Sequence, residues 1–541
     1  MPKAVDVIAE VLKQEGIDRI FGIPGSGATT DLIRAAGRVG IETILVGHES
    51  AAALIASVYG EIKEVPGVCF AITGPGATNL VSGVAYAHLE RAALLAIVEK
   101  HIFKNYESIY SQRIDQAPLF APITKGQFLL SANSAQQITE KALRLAKEEK
   151  PGPVLLELAK DEANETATYQ TRHFRKTIRF SNLTPKYSPS VEEAEKRIRT
   201  AKFPVLVAGI GAKRDKATPE LALLAEKLKA PVMITPKGRG VFDETNRLYG
   251  GIFLGTFSKG TFEDAIIGKA DLLIMIGVDP IELLPKPWKL KLPVIHIGRL
   301  PNMENVYCTD MEIVGEITTV LKSLCEGTLQ TTAWNTGFID DFHNQVMTAL
   351  SFSRDPLPLH RIIEITRDKL PPDGILTTDI GAFNSMVNYL WKVSCPGTYF
   401  GTKGLSTMGF ALPAAIAAQL ALPDKRVVCF IGDGSFLMCM HELALCSRLN
   451  LPIIVVVFSD GELGLIKIKQ QNAGLDPVGV TLSNPHFPLI ARAFEGVGLR
   501  TETEEEFAHA MNQALEDNQL YLIEAVLNPQ TYGEHIRLMR G

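Results

Sequence analysis

The chain has 541 residues, of which 46% are apolar and 21% charged, and its formal net charge is −5 at pH 7. This length predicts about three or four domains, and the composition is that of an ordinary globular protein. There is no basic excess to suit nucleic acid, and the longest apolar runs, such as 451–458, are too short to span a bilayer. We therefore expect a protein that acts on small molecules, with neither nucleic acid nor a membrane as a partner.

The seven cysteines are scattered along the chain, and no two have the Cys-x-x-Cys spacing that is typical of a zinc site. Most of them lie in apolar runs, which favours buried, reduced thiols over a disulfide framework. The chain begins Met-Pro-Lys-Ala-Val-Asp, which contains no apolar signal core. These features predict a cytoplasmic protein.

Three blocks of the chain alternate short apolar runs with segments of helical apolar spacing. The strand-like runs lie at 20–22, 43–46 and 68–73 in the first block, at 203–208, 231–235, 270–276 and 292–297 in the second, and at 374–378, 426–431 and 451–458 in the third. Polar stretches at 161–189 and 326–335 separate the blocks. Short buried strands that alternate with helices indicate parallel sheets. The predicted fold is therefore α/β, with three parallel-sheet domains at 1–165, 190–325 and 345–541.

Each strand-like run of the third block ends in a short turn that contains Gly and Asp. These turns are Asp379-Ile380-Gly381, Gly432-Asp433-Gly434 and Ser459-Asp460-Gly461. In an open parallel sheet, ligands bind outside the carboxyl ends of the strands. Asp433 and Asp460 lie 27 residues apart, which is the length of one crossover helix and the next strand. Neighbouring strands would therefore bring both carboxylates to one edge of the sheet.

Two carboxylates at one edge suit a hard cation such as Mg²⁺, which completes its shell with phosphate and water oxygens. The glycines beside Asp433 let backbone N–H groups approach a phosphate, and the helix expected from about Phe436 adds the positive end of its dipole. For the tripeptide alone, an ordinary turn after a strand is the alternative. The spacing to Asp460 favours the metal and phosphate site.

This unit resembles the diphosphate-binding motif of thiamine-diphosphate enzymes, which joins Gly-Asp-Gly through a helix to a polar pair after the next strand. The resemblance implies that Asp433 and Asp460 bind Mg²⁺ through their side chains, with the carbonyl of Glu462 as a third ligand. The family usually ends the motif in two asparagines, where this chain has Ser459-Asp460. That departure adds one negative charge beside the metal and the diphosphate.

Further motifs resemble the same family, in its acetolactate synthase and 2-oxo acid decarboxylase group, over nearly the whole chain. They are Phe21–Ser26, Gly47–Glu49, Thr73–Asn79, Ser111–Gln116 and Gly404–Pro413. The resemblance implies a pyrimidine-binding domain, a central domain and a diphosphate-binding domain, in that order. It also implies a complete site between two chains, so a homodimer or homotetramer is expected.

The resemblance implies a role for individual residues. Glu49 would hydrogen-bond the aminopyrimidine ring of the cofactor, Met408 would support its bent shape, and the carbonyl of Ser406 would accept from its amine. The other expected cofactor contacts are Thr73, Asn79, Gly381, Ala382, Phe383, Gly432, Gly434, Ser435, Leu463 and Gly464. Three residues, Ser26, His48 and Gln112, are catalytic candidates whose alternative is a structural or solvated role.

The group implies a thiamine-diphosphate- and Mg²⁺-dependent decarboxylase or carboligase of 2-oxo acids. Flavin-binding relatives carry Arg-Phe-Asp-Asp-Arg where this chain reads Ile276–Leu284, so we expect no bound FAD. One alternative is a lyase of 2-hydroxyacyl-CoA or 2-hydroxy ketones, because 111–113 resembles the Phe-Gln-Glu of such lyases. Another is a benzoylformate-decarboxylase-like enzyme, suggested by Gly25-Ser26 but weakened by Ile72 at the position of that enzyme's loop histidine. A non-catalytic cofactor-binding relative is the third.

Overall fold

The structure is a computed structural model that describes residues 1–101, 103–170, 189–256, 258–351, 353 and 355–540. Within them the chain forms three six-stranded sheets in succession, and all the strand pairs are parallel. This confirms the predicted α/β class with three parallel sheets. In the part of the chain that is described, no helix has the length and apolar character needed to cross a membrane.

The first domain contains the strands that the sequence predicted and three further ones that it did not. Its strands are β1 (Arg19–Ile23), β2 (Glu42–Leu45), β3 (Gly67–Ala71), β4 (Leu94–Lys100), β5 (Gly126–Leu129) and β6 (Pro153–Ala159), and its helices are α1 (Ala4–Gln14), α2 (Ala28–Arg38), α3 (Glu49–Lys63), α4 (Pro75–Leu89), α5 (Gln116–Phe120), α6 (Ala135–Lys147) and α7 (Lys160–Asn164). The strand order is β2-β1-β3-β4-β6-β5. The predicted linker 161–189 begins within α7, and its residues 171–188 lie outside the described ones.

The central domain has the strand order of a doubly wound sheet. Its strands are β7 (Pro204–Ala208), β8 (Val232–Ile234), β9 (Tyr249–Ile252), β10 (Leu272–Ile276), β11 (Val294–Gly298) and β12 (Met311–Val314), and its helices are α8 (Pro189–Thr200), α9 (Ile210–Arg214), α10 (Thr218–Leu228), α11 (Phe262–Ile267) and α12 (Ile317–Glu326). The order β12-β11-β10-β7-β8-β9 reverses direction between β7 and β10. In sheets of this kind, ligands bind at that switch point.

The third domain repeats the topology of the first. Its strands are β13 (Ile375–Thr378), β14 (Tyr399–Gly401), β15 (Val427–Gly432), β16 (Ile453–Ser459), β17 (Val497–Thr501) and β18 (Tyr521–Val526), and its helices are α13 (Thr336–Leu350), α14 (Leu359–Lys369), α15 (Ala382–Leu390), α16 (Ala411–Ala421), α17 (Asp433–Cys439), α18 (Leu443–Arg448), α19 (Gly464–Asn472), α20 (Phe487–Ala493), α21 (Glu504–Glu516) and α22 (Tyr532–Arg540). The order β14-β13-β15-β16-β18-β17 is the order of the first sheet, strand for strand.

The first and third domains pack together through α3 and α16. Nearly every residue of α16 is buried, and α3 is buried from Ala51 to Gly60. A helix that is apolar on all sides must be covered on all sides, so these two helices form a joint core between the domains. The central domain shares a second core with the third. The third domain is therefore held by both of the others.

Candidate active site

A cavity of about 390 Å³ opens at the carboxyl ends of β13, β15 and β16, where the third domain faces the central one. Cofactor sites commonly have volumes of about 300–1,000 Å³. All the site residues that the sequence predicted in the third domain line this one cavity: Gly381, Ala382, Phe383, Ser406, Met408, Gly432, Asp433, Gly434, Ser435, Asp460, Glu462, Leu463 and Gly464. The structure thus brings together residues that are spread over more than eighty positions of the sequence.

The Gly-Asp-Gly turn connects β15 directly to α17. The helix begins at Asp433, and not at about Phe436 as the sequence suggested. Asp433 accepts a hydrogen bond from the N–H of Gly434 at 2.7 Å, and an acidic residue is favoured in the first turn of a helix. Gly434 and Ser435 therefore belong to that first turn, whose N–H groups have no partner within the helix. The turn and the helix start form one wall of the cavity.

Asp433 and Asp460 meet at one sheet edge, because β15 and β16 pair in parallel. Asp433 is 2% exposed, and its Oδ2 accepts from the N–H of Gly461 at 2.8 Å and from Asn484 Nδ2 at 2.7 Å. Burial, and repulsion by Asp433, raise the pKa of Asp460 to about 7. Two mutually repelling carboxylates are unfavourable unless one is protonated or a cation lies between them, and a bound cation would lower this pKa.

The donor set suits a hard cation. Among the described residues, no three His, Cys, Asp or Glu side chains are grouped so as to hold a metal by themselves. The two aspartates with the Glu462 carbonyl would leave several coordination positions for phosphate and water, which is how Mg²⁺ is usually bound. Sequence reasoning missed Asn484, whose amide fixes Asp433 from a loop 51 residues further along the chain.

Two buried carboxylates hold the segment that carries Ser406 and Met408. Asp379 is completely buried, and it accepts from the N–H groups of Gly409 at 3.3 Å and Ala411 at 2.9 Å. Burial raises the pKa of Asp379 to about 6, although these hydrogen bonds oppose the shift. Ser406 has a φ of 54°, in the left-handed region, so its backbone needs such support.

The other carboxylate is that of Glu90, at the end of α4 in the first domain. Its Oε1 accepts from the hydroxyl of Thr402 at 3.0 Å and from the N–H groups of Lys403 at 2.7 Å and Gly404 at 2.6 Å. Its Oε2 pairs with Lys237 of the central domain. Glu90 therefore joins all three domains, and it does so immediately before the segment of the third domain that carries Ser406 and Met408.

Glu49 is the first residue of α3 and is buried. Asn79 Nδ2, in α4, donates to its Oε2 at 3.0 Å, so the structure pairs two residues that the sequence predicted for the same cofactor. His48 caps the helix, since its Nδ1 accepts from the N–H of Ser50 at 3.1 Å. That bond favours the structural role that the sequence left open for His48.

The loop before Glu49 is attached to the third domain. The carboxylate of Glu442 is completely buried, and it accepts from the N–H groups of Gly47 at 3.1 Å and His48 at 3.0 Å. The same carboxylate lies 3.3 Å from His441 Nε2 and raises the pKa of that histidine. Sequence reasoning missed Glu442, because its partners lie 395 residues away.

The loops of Thr73 and Gln112 are in contact. Gln112 has a φ of 58°, and a Cβ atom on Gly74 would lie 2.6 Å from the Gln112 carbonyl oxygen. The Gln112 side chain is exposed. The hydrogen bonds between the two loops come from the buried Gln116 and not from the Gln112 side chain. Gln116 Oε1 accepts from Thr73 Oγ1 and from the N–H of Gly74, both at 3.1 Å.

Ser26 is exposed at the start of α2, and its carbonyl accepts from Lys160 Nζ at 3.4 Å. In the described part of the molecule, the lining of the cavity includes none of the site residues that were predicted in the first domain. These residues are Ser26, His48, Glu49, Thr73, Asn79 and Gln112. The structure therefore forms two clusters, one in each of the outer domains.

The switch point of the central sheet is filled by a side chain. Glu282 is completely buried, and it accepts from the N–H groups of Ile210 at 3.0 Å and Asp279 at 2.8 Å. Burial raises the pKa of Glu282 to about 7. A Cβ atom on Gly209 would lie 2.5 Å from its Oε2, so the carboxyl group packs directly against the turn that follows β7.

Comparison with known proteins agrees with this geometry. Three family descriptions match in chain order: the N-terminal TPP binding domain of thiamine pyrophosphate enzymes at residues 2–119, their central domain at 191–324 and their C-terminal TPP binding domain at 379–525. Thiamine pyrophosphate is another name for thiamine diphosphate.

Curated relatives align over almost the whole chain. An acetolactate synthase of Bacillus subtilis is 26% identical, covering 99% of this chain and 94% of its own length. A probable acetolactate synthase large subunit of Methanocaldococcus jannaschii is 30% identical, covering 97% and 92%. The acetolactate synthase isozyme 2 large subunit of Escherichia coli is 29% identical, covering 95% and 94%. The chain therefore belongs to the thiamine-pyrophosphate-dependent enzymes, in their acetolactate synthase group, and is an enzyme that forms or cleaves carbon–carbon bonds.

Proposed function

We propose that this chain is a Mg²⁺-dependent decarboxylase and carboligase of 2-oxo acids, similar to acetolactate synthase but without flavin. The observation that carries the proposal is the single cavity that unites Met408, the Gly432–Ser435 turn and the pair Asp433 and Asp460. A support for the cofactor ring, a phosphate-binding helix start and an all-oxygen cation site are the parts that this cofactor requires.

The residues present fit thiamine diphosphate and Mg²⁺. Asp433, Asp460 and the Glu462 carbonyl would hold the metal, and the first turn of α17 with 381–383 would hold the diphosphate. When bound, the cofactor supplies a nucleophilic carbon and accepts the charge left by decarboxylation. Glu49 would exchange a proton with the aminopyrimidine ring, and Met408 would keep that ring in reach.

The arrangement also supports assembly from two copies. Glu49 lies outside the cavity of its own chain, so a second copy must supply it if it is to reach a cofactor bound there. We propose a homodimer, or a homotetramer built from two such dimers, with two equivalent sites per dimer. All seven cysteines are free and five of them are buried, which supports the expected cytoplasmic location.

We propose that the central domain binds no FAD. In a doubly wound sheet, the phosphates of a dinucleotide occupy the switch point and the helix start behind it. Here Glu282 occupies that position and takes the N–H of Ile210. A pyrophosphate would have to displace this buried carboxyl group to reach the Ile210 N–H.

The test is release of carbon dioxide from a panel of 2-oxo acids by purified protein with thiamine diphosphate and Mg²⁺, with products identified by mass spectrometry. We expect release coupled to a condensed product, together with dependence on both cofactors. Asp433→Asn should abolish Mg²⁺-dependent cofactor binding, whereas Asp373→Asn, at an exposed ion pair, should not. Cofactor binding without release from any acid would refute the proposal and favour cleavage of 2-hydroxyacyl thioesters or 2-hydroxy ketones.

A further inference from the structure

Three cations line the same cavity: Lys469 is exposed, and the other two lie on the side of the central domain. Lys403 follows β14, and Arg540 is the last residue of α22. Both are partly buried, and both line the cavity together with Leu254 and Leu284 of the central domain. They lie 137 positions apart in the sequence, so only the tertiary structure brings them together.

Within the described residues, the two cations have no ion-pair partner. In the described part of the chain, neither the Lys403 ammonium nor the Arg540 guanidinium forms a hydrogen bond or an ion pair. Lys237 and Arg239, which are also buried, are paired with Glu90 and Glu244 respectively. Burial and the neighbouring Arg540 lower the pKa of Lys403 to about 8, and burial also lowers the pKa of Arg540.

The nearby carboxylates are occupied by other partners. Glu90, Glu282 and Glu263 all act on Lys403 electrostatically. Glu90 accepts from 402–404 and from Lys237, and Glu282 accepts from Ile210 and Asp279. Glu263 accepts from the N–H groups of Leu254 and Thr256 at 2.7 and 3.0 Å. The three carboxylates therefore compensate Lys403 only from a distance, and none of them forms an ion pair with it in the described part of the chain.

The cation pair is distinct from the metal end of the cavity. Lys403 and Arg540 line the cavity together with Leu254 and Leu284 of the central domain, whereas Asp433 and Asp460 follow β15 and β16 of the third. The metal end already contains the helix start and the cation site that a diphosphate needs. The positive charges of Lys403 and Arg540 are left over for another anion.

We propose that Lys403 and Arg540 form an anion subsite that binds a second, non-reacting anionic group of the substrate, such as a carboxylate, sulfonate or phosphonate. Arg540 can hold such a group through two parallel N–H donors, and Lys403 adds a point charge. This inference rests on the proposed function, and it names the substrate class: 2-oxo acids with a charged tail, in preference to those with an alkyl tail.

The test compares 2-oxoglutarate with 2-oxohexanoate, which has an uncharged tail of similar length. Binding to the holoenzyme is measured by calorimetry, and turnover by release of carbon dioxide. We expect the wild type to prefer 2-oxoglutarate by about 10- to 100-fold, the range that a charged hydrogen bond provides. Lys403→Met and Arg540→Met should remove this preference without changing the affinity for thiamine diphosphate. Lys425→Met, at an exposed ion pair, is the control and should keep it.

Each other outcome has a definite meaning. Equal binding of the two acids by the wild type, a measurement that needs no variant, would overturn the proposal. So would variants that bind thiamine diphosphate about tenfold more weakly and lose both acids equally, because the cations would then serve the diphosphate. A preference in binding without any release of carbon dioxide would support the subsite and refute the proposed decarboxylation.

Discussion

Glu442 is the residue through which the third domain holds the loop that leads to Glu49. Its buried carboxylate accepts from the N–H groups of Gly47 at 3.1 Å and His48 at 3.0 Å. The substitution Glu442→Gln keeps the size of the side chain but converts one oxygen into an NH₂ group, which cannot accept. Both backbone N–H groups can still donate to Oε1, which accepts from each of them in the wild type, but that acceptor is then neutral instead of ionised.

The magnitude follows from the loss of charge on the acceptor of two hydrogen bonds. A hydrogen bond to a charged group contributes about 1.5–3 kcal/mol, and one between neutral groups about 0.5–1.5 kcal/mol. We therefore expect Glu442→Gln to lower the free energy of unfolding by about 2–3 kcal/mol. Glu42→Gln is the matched control, because Glu42 pairs with Arg19 at the surface and its side chain is 53% exposed. Loss of such a pair changes stability by about 1 kcal/mol or less.

The assay is urea-induced unfolding followed by circular dichroism, combined with NMR titration of His441. Glu442 raises the pKa of His441 above its usual value of 6.5, so the variant should show a lower pKa there. The stabilisation from this pair is fully present below pH 6.5 and is lost as the pH rises through the folded pKa, so the variant should differ most in acid. Unfolding of Glu442→Gln at the same urea concentration as the wild type, with an unchanged His441 pKa, would refute the reasoning.

Three further predictions concern other buried groups. Glu49→Gln should bind thiamine diphosphate normally but lose turnover by about 10²- to 10⁴-fold, the usual contribution of a proton-transferring group; unchanged turnover would exclude that role. Asp379 has a folded pKa of about 6 against 3.8, so the native state holds its proton more tightly. This carboxyl group should lower the free energy of unfolding by about 2 kcal/mol between pH 4 and 6, and urea titrations of Asp379→Asn should show a fall that is smaller by that amount. Gly27→Ala would place a Cβ atom 1.6 Å from Glu99 Oε1, so its thermal midpoint should drop by several degrees; an unchanged midpoint would show that the carboxylate moves freely.

The meeting of the predicted third-domain residues in one cavity could be foreseen from the sequence because the signals are local. Gly432-Asp433-Gly434 and Asp460 each follow a buried parallel strand, and parallel neighbours necessarily end at the same edge of a sheet. The apolar runs of these strands are continuous, so their ends could be recognised without knowledge of the fold. The start of α17 was predicted three residues too late, because the turn glycines obscure the first helical turn.

The residues that hold the site in place could not be predicted, because their partners are remote. Glu90 binds 402–404, Glu442 binds Gly47 and His48, and Asp379 binds the segment after Met408. A glutamate near the end of a helix looks the same in a sequence whether it faces water or another domain. Only the packing of α3 against α16, and of three domains around Glu90, made these carboxylates acceptors for backbone N–H groups.

The sequence by itself thus determined the class of the fold, the cofactor family and the residues at the strand ends. The tertiary structure decided which buried carboxylates fix those residues, which of the predicted residues lie outside the cavity, and that Lys403 and Arg540 face the same space. The physical reason is that periodicity and turn chemistry act over a few residues, whereas burial and electrostatic pairing depend on distance in space and not on separation along the chain.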